Sequence, residues 1–279
     1  MKKLEHIIEP IRAELTQFEA FFEKTLNAET RLMDNIMHYV LDTQGKRLRP
    51  ILVLLGAKMF GDVNEQTLRA ATFVETVHNA TLIHDDVVDD ADERRGHASV
   101  KAQFGNLSAV LAGDYLLAKA MLLLAQPNDY AILQEMLSTT AAMSEGELMQ
   151  STRSLSPSKG RDQEVETYKN RPFDGLRDLN YLDIITRKTA MLMRSCCASG
   201  ALSVGASPEQ VQQIADFGLN FGILFQLRDD ILDSENVAQA QVLLPIYYEK
   251  TLNGLEGFPP SKITAALHDL TEFCANREE

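Results

Sequence analysis

The sequence predicts an all-α protein, a single large helical bundle around a central cavity. Three observations carry that prediction. Apolar residues recur at helical spacing through most of the 279 residues, and no stretch shows the convincing alternation of a half-buried strand. No repeat of solenoid length is present. Recognisable start and stop signals separate the periodic segments.

The elements follow in order. Residues 4–22 place Ile7, Ile8, Ile11, Leu15, Phe18 and Phe22 at helical spacing, a packing helix suited to a subunit interface. A second helix is expected over about 29–41, and 42–49 reads as a loop. Pro50 opens the next helix at a favoured first-turn position, and Gly61 closes it. The helix over about 65–89 carries Leu68, Phe73, Val77 and Leu82 on its apolar face and ends in a run of acids. A loop follows Gly96. Helices over about 107–125 and 129–150 are separated by the breakers Pro127 and Asn128. Residues 151–179 contain Ser-Pro-Ser-Lys-Gly and Asn-Arg-Pro and are dense in charge, so a surface excursion is expected there. A helix resumes near Tyr181 and runs past Cys197 to Val204. Ser207, Pro208 and Gln210 offer an N-cap, a first-turn proline and a capping-box glutamine. That helix carries Val211, Ile214, Phe217, Phe221 and Phe225, and Gly218 and Gly222 on it would let another helix approach closely. Residues 242–279 have room for two short helices. The whole of 1–279 reads as one domain.

Composition narrows the function. Hydrophobic residues are 45% and charged residues 24%, ordinary for a globular chain able to bury a substantial core. A formal charge of −13 argues against a general binder of nucleic acid or anionic membranes. Cys196, Cys197 and Cys274 show neither metal spacing nor an even framework. Reduced thiols packed in helices are expected, which fits a cytoplasmic protein. The start, Met-Lys-Lys-Leu-Glu-His, lacks the apolar run of a signal peptide. No transmembrane segment is expected, since no stretch reaches about 18 apolar residues.

The chemistry gathers in 82–96, Leu-Ile-His-Asp-Asp-Val-Val-Asp-Asp-Ala-Asp-Glu-Arg-Arg-Gly. On a helix, Asp85, Asp86 and Asp89 share one face. Like charges so close repel, and hard cations with oxygen ligands relieve that; Mg²⁺ takes one or two carboxylates plus substrate phosphates. Arg94 and Arg95 follow, and their planar forks suit phosphate oxygens. Taken alone, the stretch equally fits a solvated helix end. A second occurrence decides. In 225–233, Phe-Gln-Leu-Arg-Asp-Asp-Ile-Leu-Asp, the spacing repeats with Asp229, Asp230 and Asp233. Two such triads, each ending a long apolar helix, can face each other and clamp a diphosphate with several divalent ions.

With these stretches the chain resembles the trans-isoprenyl diphosphate synthases of the polyprenyl synthetase family. Gly-Lys-Arg-Leu-Arg-Pro at 45–50, His78 with Leu-Ile-His-Asp-Asp at 82–86, Gly-Asp-Tyr-Leu-Leu at 113–117 and Lys-Thr-Ala at 188–190 also match. The match runs in the family's order from about Gly45 to Asp233. The resemblance implies a helical bundle, usually a homodimer. It also implies head-to-tail condensation of isopentenyl diphosphate with an allylic diphosphate such as farnesyl diphosphate, and use of Mg²⁺. By the same resemblance Asp85, Asp89 and Asp229 are direct metal ligands, while Asp86, Asp230 and Asp233 bind through water or orient the others. Arg94, Lys188, Thr189 and Gln226 match the allylic diphosphate site. Lys46, Arg49, His78 and Arg95 match the isopentenyl diphosphate pocket, with Arg47 an alternative to Arg49. Read without the resemblance, His78 is a helix histidine with a local partner and Lys188 a solvated lysine.

The resemblance also implies a long product. The growing tail is expected to run beside the helix that ends in the first acid triad, with side chains a turn or more before Asp85 as its floor. Short-chain members often carry aromatic residues four and five positions before the first aspartate. Here Thr81 and Ala80 are small, Val77 and Thr76 modest, and Phe73 is the first bulky block, with Met121 or Leu124 as further stops. An all-trans product of about thirty carbons or more follows, at about one isoprene unit per helical turn. Such a product can draw the protein to membranes. One departure stands out. The family follows its second triad with Gly-Lys, Gly-x-Asp-Leu and Gly-Lys-x-Thr, and none of these follows Asp233. That leaves a short-chain synthase, or a non-catalytic partner subunit, beside the long-chain synthase. A class I terpene cyclase, which shares the first acid motif, has no need of Lys46, Arg49, His78 and Arg95.

Overall fold

The computed structural model describes residues 4–43, 45–154 and 181–277. The described residues are overwhelmingly helical, as the periodicity predicts. The chain opens with α1 (Leu4–Ile7), a 3-10 turn (Glu9–Ile11) and α2 (Arg12–Leu26). The single helix expected over 4–22 is therefore divided. Pro10 lies in the 3-10 turn, where its ring and missing N–H break an α-helical ladder. Next come α3 (Arg31–Asp42) and α4 (Leu48–Lys58). Helix α4 opens at Leu48 rather than Pro50, because left-handed Arg47 (φ 55°) turns the chain into it.

Helix α5 (Glu65–Val88) starts from a capping box in which Asn64 accepts from the Thr67 amide. Asp89 caps its other end. The acid-rich loop after it holds a two-residue antiparallel pair, β1 (Glu93–Arg94) and β2 (His97–Ala98). Its corner residues, Arg95 and Gly96, both have positive φ (54° and 78°), the twist that suits a tight hairpin. No strand was expected there, since arginine is an unusual first corner residue. Then follow α6 (Val100–Phe104), α7 (Asn106–Leu124) and α8 (Tyr130–Ser154). Helix α8 continues through 151–154, the start of the expected excursion; residues 155–179 of that excursion lie outside the described residues. The chain resumes with α9 (Tyr181–Ile185), a π-helical turn (Thr186–Ala190), α10 (Met191–Ser203) and α11 (Pro208–Leu232). The Ser207–Gln210 capping box is formed as the sequence predicts. Helices α12 (Val237–Asn253) and α13 (Lys262–Asn276) end the chain. Helix α12 begins before Val242 and contains Pro245.

Helix α10 is central, touching α4, α5, α8 and α11. It is built of small residues, and Ser195 through Ala201 are all buried. Such a helix lets its neighbours approach at backbone distance. A Cβ on Gly200 would lie 2.8 Å from the Ala57 nitrogen. On the other side, Gly218 and Gly222 of α11 lie so close to Met193 and Ala190 that a Cβ would come within 2.7 Å and 2.6 Å of their backbones. The apolar cluster around this axis includes Leu52, Phe73, Phe217, Phe221 and Leu267. Helix α7 packs on α5, with Gly113 under the His84 ring.

By length and composition α7 is apolar enough to cross a membrane, with 19 residues at mean hydropathy 1.7, of which 33% are buried. Its buried stripe is Ala109, Ala112, Gly113, Leu116, Ala120 and Leu124. Leu107, Val110, Leu111, Met121 and Leu122 stand exposed. Asp114 and Lys119 interrupt the apolar run, so it contains no 18 consecutive apolar residues.

Candidate active site

Helices α5 and α11 both end at one cavity of about 1160 Å³. Asp85 and Asp89 enter it from α5, and Asp229, Asp230 and Asp233 from α11. Arg49, His78, Arg94, Lys188, Thr189 and Gln226 line the same space. Asp86, Lys46 and Arg95 are off its wall. Asp86 is 3% exposed and accepts from Arg94 Nε at 2.8 Å and from Nη2, so the arginine stands between it and the cavity. Lys46 is exposed. The Arg95 guanidinium lies against Gly45, where a Cβ would be 2.8 Å from its central carbon.

The two triads use their members alike. In each, the middle acid is withdrawn into protein hydrogen bonds. Asp230, 5% exposed, accepts from the Tyr181 hydroxyl and from Gln226 Nε2 at 2.7 Å, while Gln226 Oε1 accepts from Thr189 at 2.7 Å. The first acid of each triad is half-buried at the wall and the last is exposed. Burial pushes the Asp85 carboxyl up to about 6, helped by the nearby Glu147 and opposed by Lys188. Burial likewise pushes Asp229 up to about 6, with the Arg277 guanidinium opposing and Asp233 and Asp230 adding to the rise. The donors are carboxylate oxygens, which suit hard cations such as Mg²⁺ or Ca²⁺. The carboxylates are splayed. Among the described residues, the ligand atoms gathered within 4.8 Å are those of His268, Asp269 and Glu272 on α13.

The cations come from three further elements. The π-helical turn at Thr186–Ala190 inserts one residue into the α9–α10 helix and re-aims Lys188 and Thr189, as such bulges commonly do at functional sites. Gly146 of α8 allows this turn to sit close, since a Cβ there would lie 2.8 Å from the Lys188 nitrogen. Lys188 Nζ pairs with Glu147 Oε2 at 2.7 Å. Arg49, from the first turn of α4, donates through Nη1 to His78 Nε2 at 2.9 Å. Burial, then the Arg49 guanidinium, pushes His78 well below its ordinary range, so the ring is a neutral acceptor. Arg47 turns away. It pairs with Glu75 at 2.7 Å, and its guanidinium carbon lies 4.5 Å from the Phe22 ring centroid. Arg49 thus faces the cavity, while Arg47 braces α2.

Four wall or flanking residues went unremarked in the sequence. Glu147 and Met143, four apart on α8, could have been found from helical spacing. Tyr181 lies seven before Lys188 on a continuous helical stretch. Arg277, 48 residues from Asp229 in sequence, gives no local signal. Deeper in, the wall is Thr81, Met143, Ile184 and Ile185. Ala80, Val77 and Phe73 are fully or almost fully buried and off the wall, and Thr76 is buried as well. Leu124 is buried, while Met121 is 43% exposed on the outer face of α7. The expected tail path through those positions is therefore not the one the cavity takes. After Asp233 the chain turns within four residues, with Ser234 and Asn236 at positive φ, and enters α12.

Comparison with known proteins places this arrangement. The polyprenyl synthetase family pattern matches residues 30–241. Over 215 residues, 77% of the chain, the sequence is 34% identical to the octaprenyl diphosphate synthase of Haemophilus influenzae, and it spans 60% of that protein's length. Over 259 residues, 88% of the chain, it is 32% identical to heptaprenyl diphosphate synthase component 2 of Geobacillus stearothermophilus, spanning 75% of it. A polyprenyl synthase from Caulobacter crescentus, solved with calcium and isoprenyl diphosphate, superposes with a TM-score of 0.85 at 23% identity. It covers 99% of this chain and 98% of its own, a likeness of fold. The chain belongs to the polyprenyl synthetase family.

Proposed function

We propose that the protein is a prenyltransferase that condenses isopentenyl diphosphate head-to-tail with an allylic diphosphate, through repeated additions to a long all-trans polyprenyl diphosphate. The observation that carries this reading is the opposition of two acid triads across one cavity that also holds Arg49, Arg94 and Lys188. In the reaction the allylic C–O bond breaks and pyrophosphate leaves with the electron pair. The isopentenyl double bond forms the new C–C bond, and the adjacent proton passes to the pyrophosphate. Asp85, Asp89 and Asp229 are the carboxylates that would hold Mg²⁺, with Asp233 beside them. Bound Mg²⁺ would supply Lewis-acid stabilisation of the charge on the leaving diphosphate. Arg94, Lys188, Thr189 and Gln226 orient the allylic diphosphate. Arg49 and neutral His78 bind isopentenyl diphosphate, with Arg95 and Lys46 assigned to the same substrate by the family match. Asp86 and Asp230 fix Arg94, Gln226 and Tyr181 in place.

Small Thr81 on the wall supports a long tail. The exposed apolar face of α7, with Leu107, Val110, Leu111 and Leu122, supports a homodimer of one-domain protomers. A second reading, a partner subunit without turnover of its own, is favoured by the three-residue turn between Asp233 and Val237, where the family pattern has a cationic loop.

One assay separates the two. Pure protein is given Mg²⁺, farnesyl diphosphate and labelled isopentenyl diphosphate, and the products are resolved by chain length. Label in extended prenyl chains is expected. Label that appears only when a second subunit is added would favour the partner reading, and none under either condition would overturn both.

A further inference from the structure

We propose that Arg277 is a positioning residue for the second acid triad, a role that rests on the diphosphate-and-metal reading above. Arg277 follows α13 and reaches back to α11. Its Nη2 donates to Asp229 Oδ1 and, at 3.2 Å, to the Phe225 carbonyl. Its guanidinium carbon lies 4.1 Å from the Phe225 ring centroid. The residue is locked from the other side as well. Arg228 Nε donates to the Arg277 carbonyl at 2.9 Å, with Nη2 on the same oxygen. The Arg277 side chain is 11% exposed, and its Nε is buried without a hydrogen-bond partner. A surface arginine merely seeking solvent would not be held by two backbone anchors and a ring.

The contact is selective among the acids of the two triads. Asp86 and Asp230 are buried and held by partners of their own, Arg94 for the first and Tyr181 and Gln226 for the second. Asp229 stays on the cavity wall with its side chain 30% exposed, while one oxygen is engaged by Arg277. Arg277 therefore fixes the carboxylate's rotamer and leaves its remaining face toward the cavity. It also supplies a standing positive charge among Asp229, Asp230 and Asp233. Carboxylates that serve hard cations are commonly held this way by a hydrogen-bond donor behind them, and loss of such a donor costs about 10–100-fold in metal affinity or activity. Helix α13 carries this function through packing. Leu267, Leu270 and Cys274 are buried and seat the helix on the bundle, so the arginine is placed by a whole element.

The test compares wild type with Arg277→Gln and Arg277→Lys. Mn²⁺ binding is titrated by electron paramagnetic resonance in the presence of pyrophosphate. Melting temperature is measured in chelator, and turnover is measured against Mg²⁺ concentration. Arg277→Gln should weaken Mn²⁺ binding about tenfold or more, with a parallel rise in the Mg²⁺ needed for half-maximal turnover and an unchanged KM for isopentenyl diphosphate. Arg277→Lys should recover most of the binding. If Arg277→Gln fails to fold, Arg228→Ala, which loosens only the backbone anchor, should show a smaller shift in the same direction. Unchanged Mn²⁺ affinity, or a fall in melting temperature and turnover with metal binding intact, would reduce Arg277 to a helix anchor. If wild type binds Mn²⁺ without turnover, the proposed activity falls while the binding comparison still decides the role of Arg277. If wild type binds no Mn²⁺, both fall.

Discussion

Replacing Asp85 with asparagine should make the metal-free protein more stable at neutral pH while removing turnover. Burial pushes the Asp85 carboxyl from 3.8 to about 6. At about 1.4 kcal/mol per unit this is about 3 kcal/mol held against folding when the group is charged. The side chain is only half-buried, so solvent screening reduces the effect to about 1 kcal/mol. The sign follows from linkage. The folded protein binds this proton more tightly than the unfolded chain does. Below the ordinary value of 3.8 both states carry the proton and the residue costs nothing. As pH rises through about 6 the penalty grows, and above that it is complete. Asparagine has no charge to desolvate. In chelator at about pH 7.5 the variant should therefore gain about 1 kcal/mol, or about 2 °C in melting temperature, and the gap should close near pH 4. Denaturant unfolding of both proteins across this range gives the comparison. A variant no more stable than wild type above pH 6, or a gap that widens in acid, would refute the reasoning.

Three more outcomes follow from the geometry. Arg49→Ala should raise the KM for isopentenyl diphosphate about tenfold or more, the scale of a charge-assisted hydrogen bond, with little change for the allylic substrate; an equal rise for both would merge the two pockets. Thr81→Tyr should shorten the product at little cost in stability, whereas Ala80→Tyr, overpacking a fully buried position off the cavity wall, should lower the melting temperature and leave product length unchanged; truncation by Ala80→Tyr alone would restore the tail path read from sequence. Arg69→Ala should cost about 3 kcal/mol in urea unfolding, because it strands Asp129, which is 0% exposed and held by two nitrogens of that arginine; a loss below about 1 kcal/mol would show that water replaces the pair.

Where the information is local, the sequence states it. The Ser207–Gln210 cap, the glycine pair at 218 and 222 and the helices that end in the two acid triads are all written in spacing. So is the convergence of Arg49, His78, Lys188 and Gln226 with the acids, once their resemblance to a family pattern is seen. What was not legible depends on rotation and on distant pairing. Ala80 and Thr81 are neighbours in sequence, yet one faces packed helices and the other the cavity, and only the orientation of α5 separates them. Arg47 and Arg49 differ in the same way, through the left-handed backbone at Arg47. Arg277 and Glu147 meet their partners across 48 and 41 residues, the latter being 188 less 147. No local pattern records such contacts.

The close crossings of α10 divide the molecule into a fixed jaw and an adjustable one. On the α4 and α11 sides, backbone meets backbone through Gly200, Gly218 and Gly222. Any side chain grown there prises the helices apart, so the register between Lys188 and Asp229 is set by the main chain. On the α5 and α8 sides of the cavity, Thr81 and Met143 meet the interior as side chains that can be enlarged or trimmed. A bundle built this way can change the size of what it holds, by substitutions on one jaw, without disturbing the alignment of the charged groups on the other.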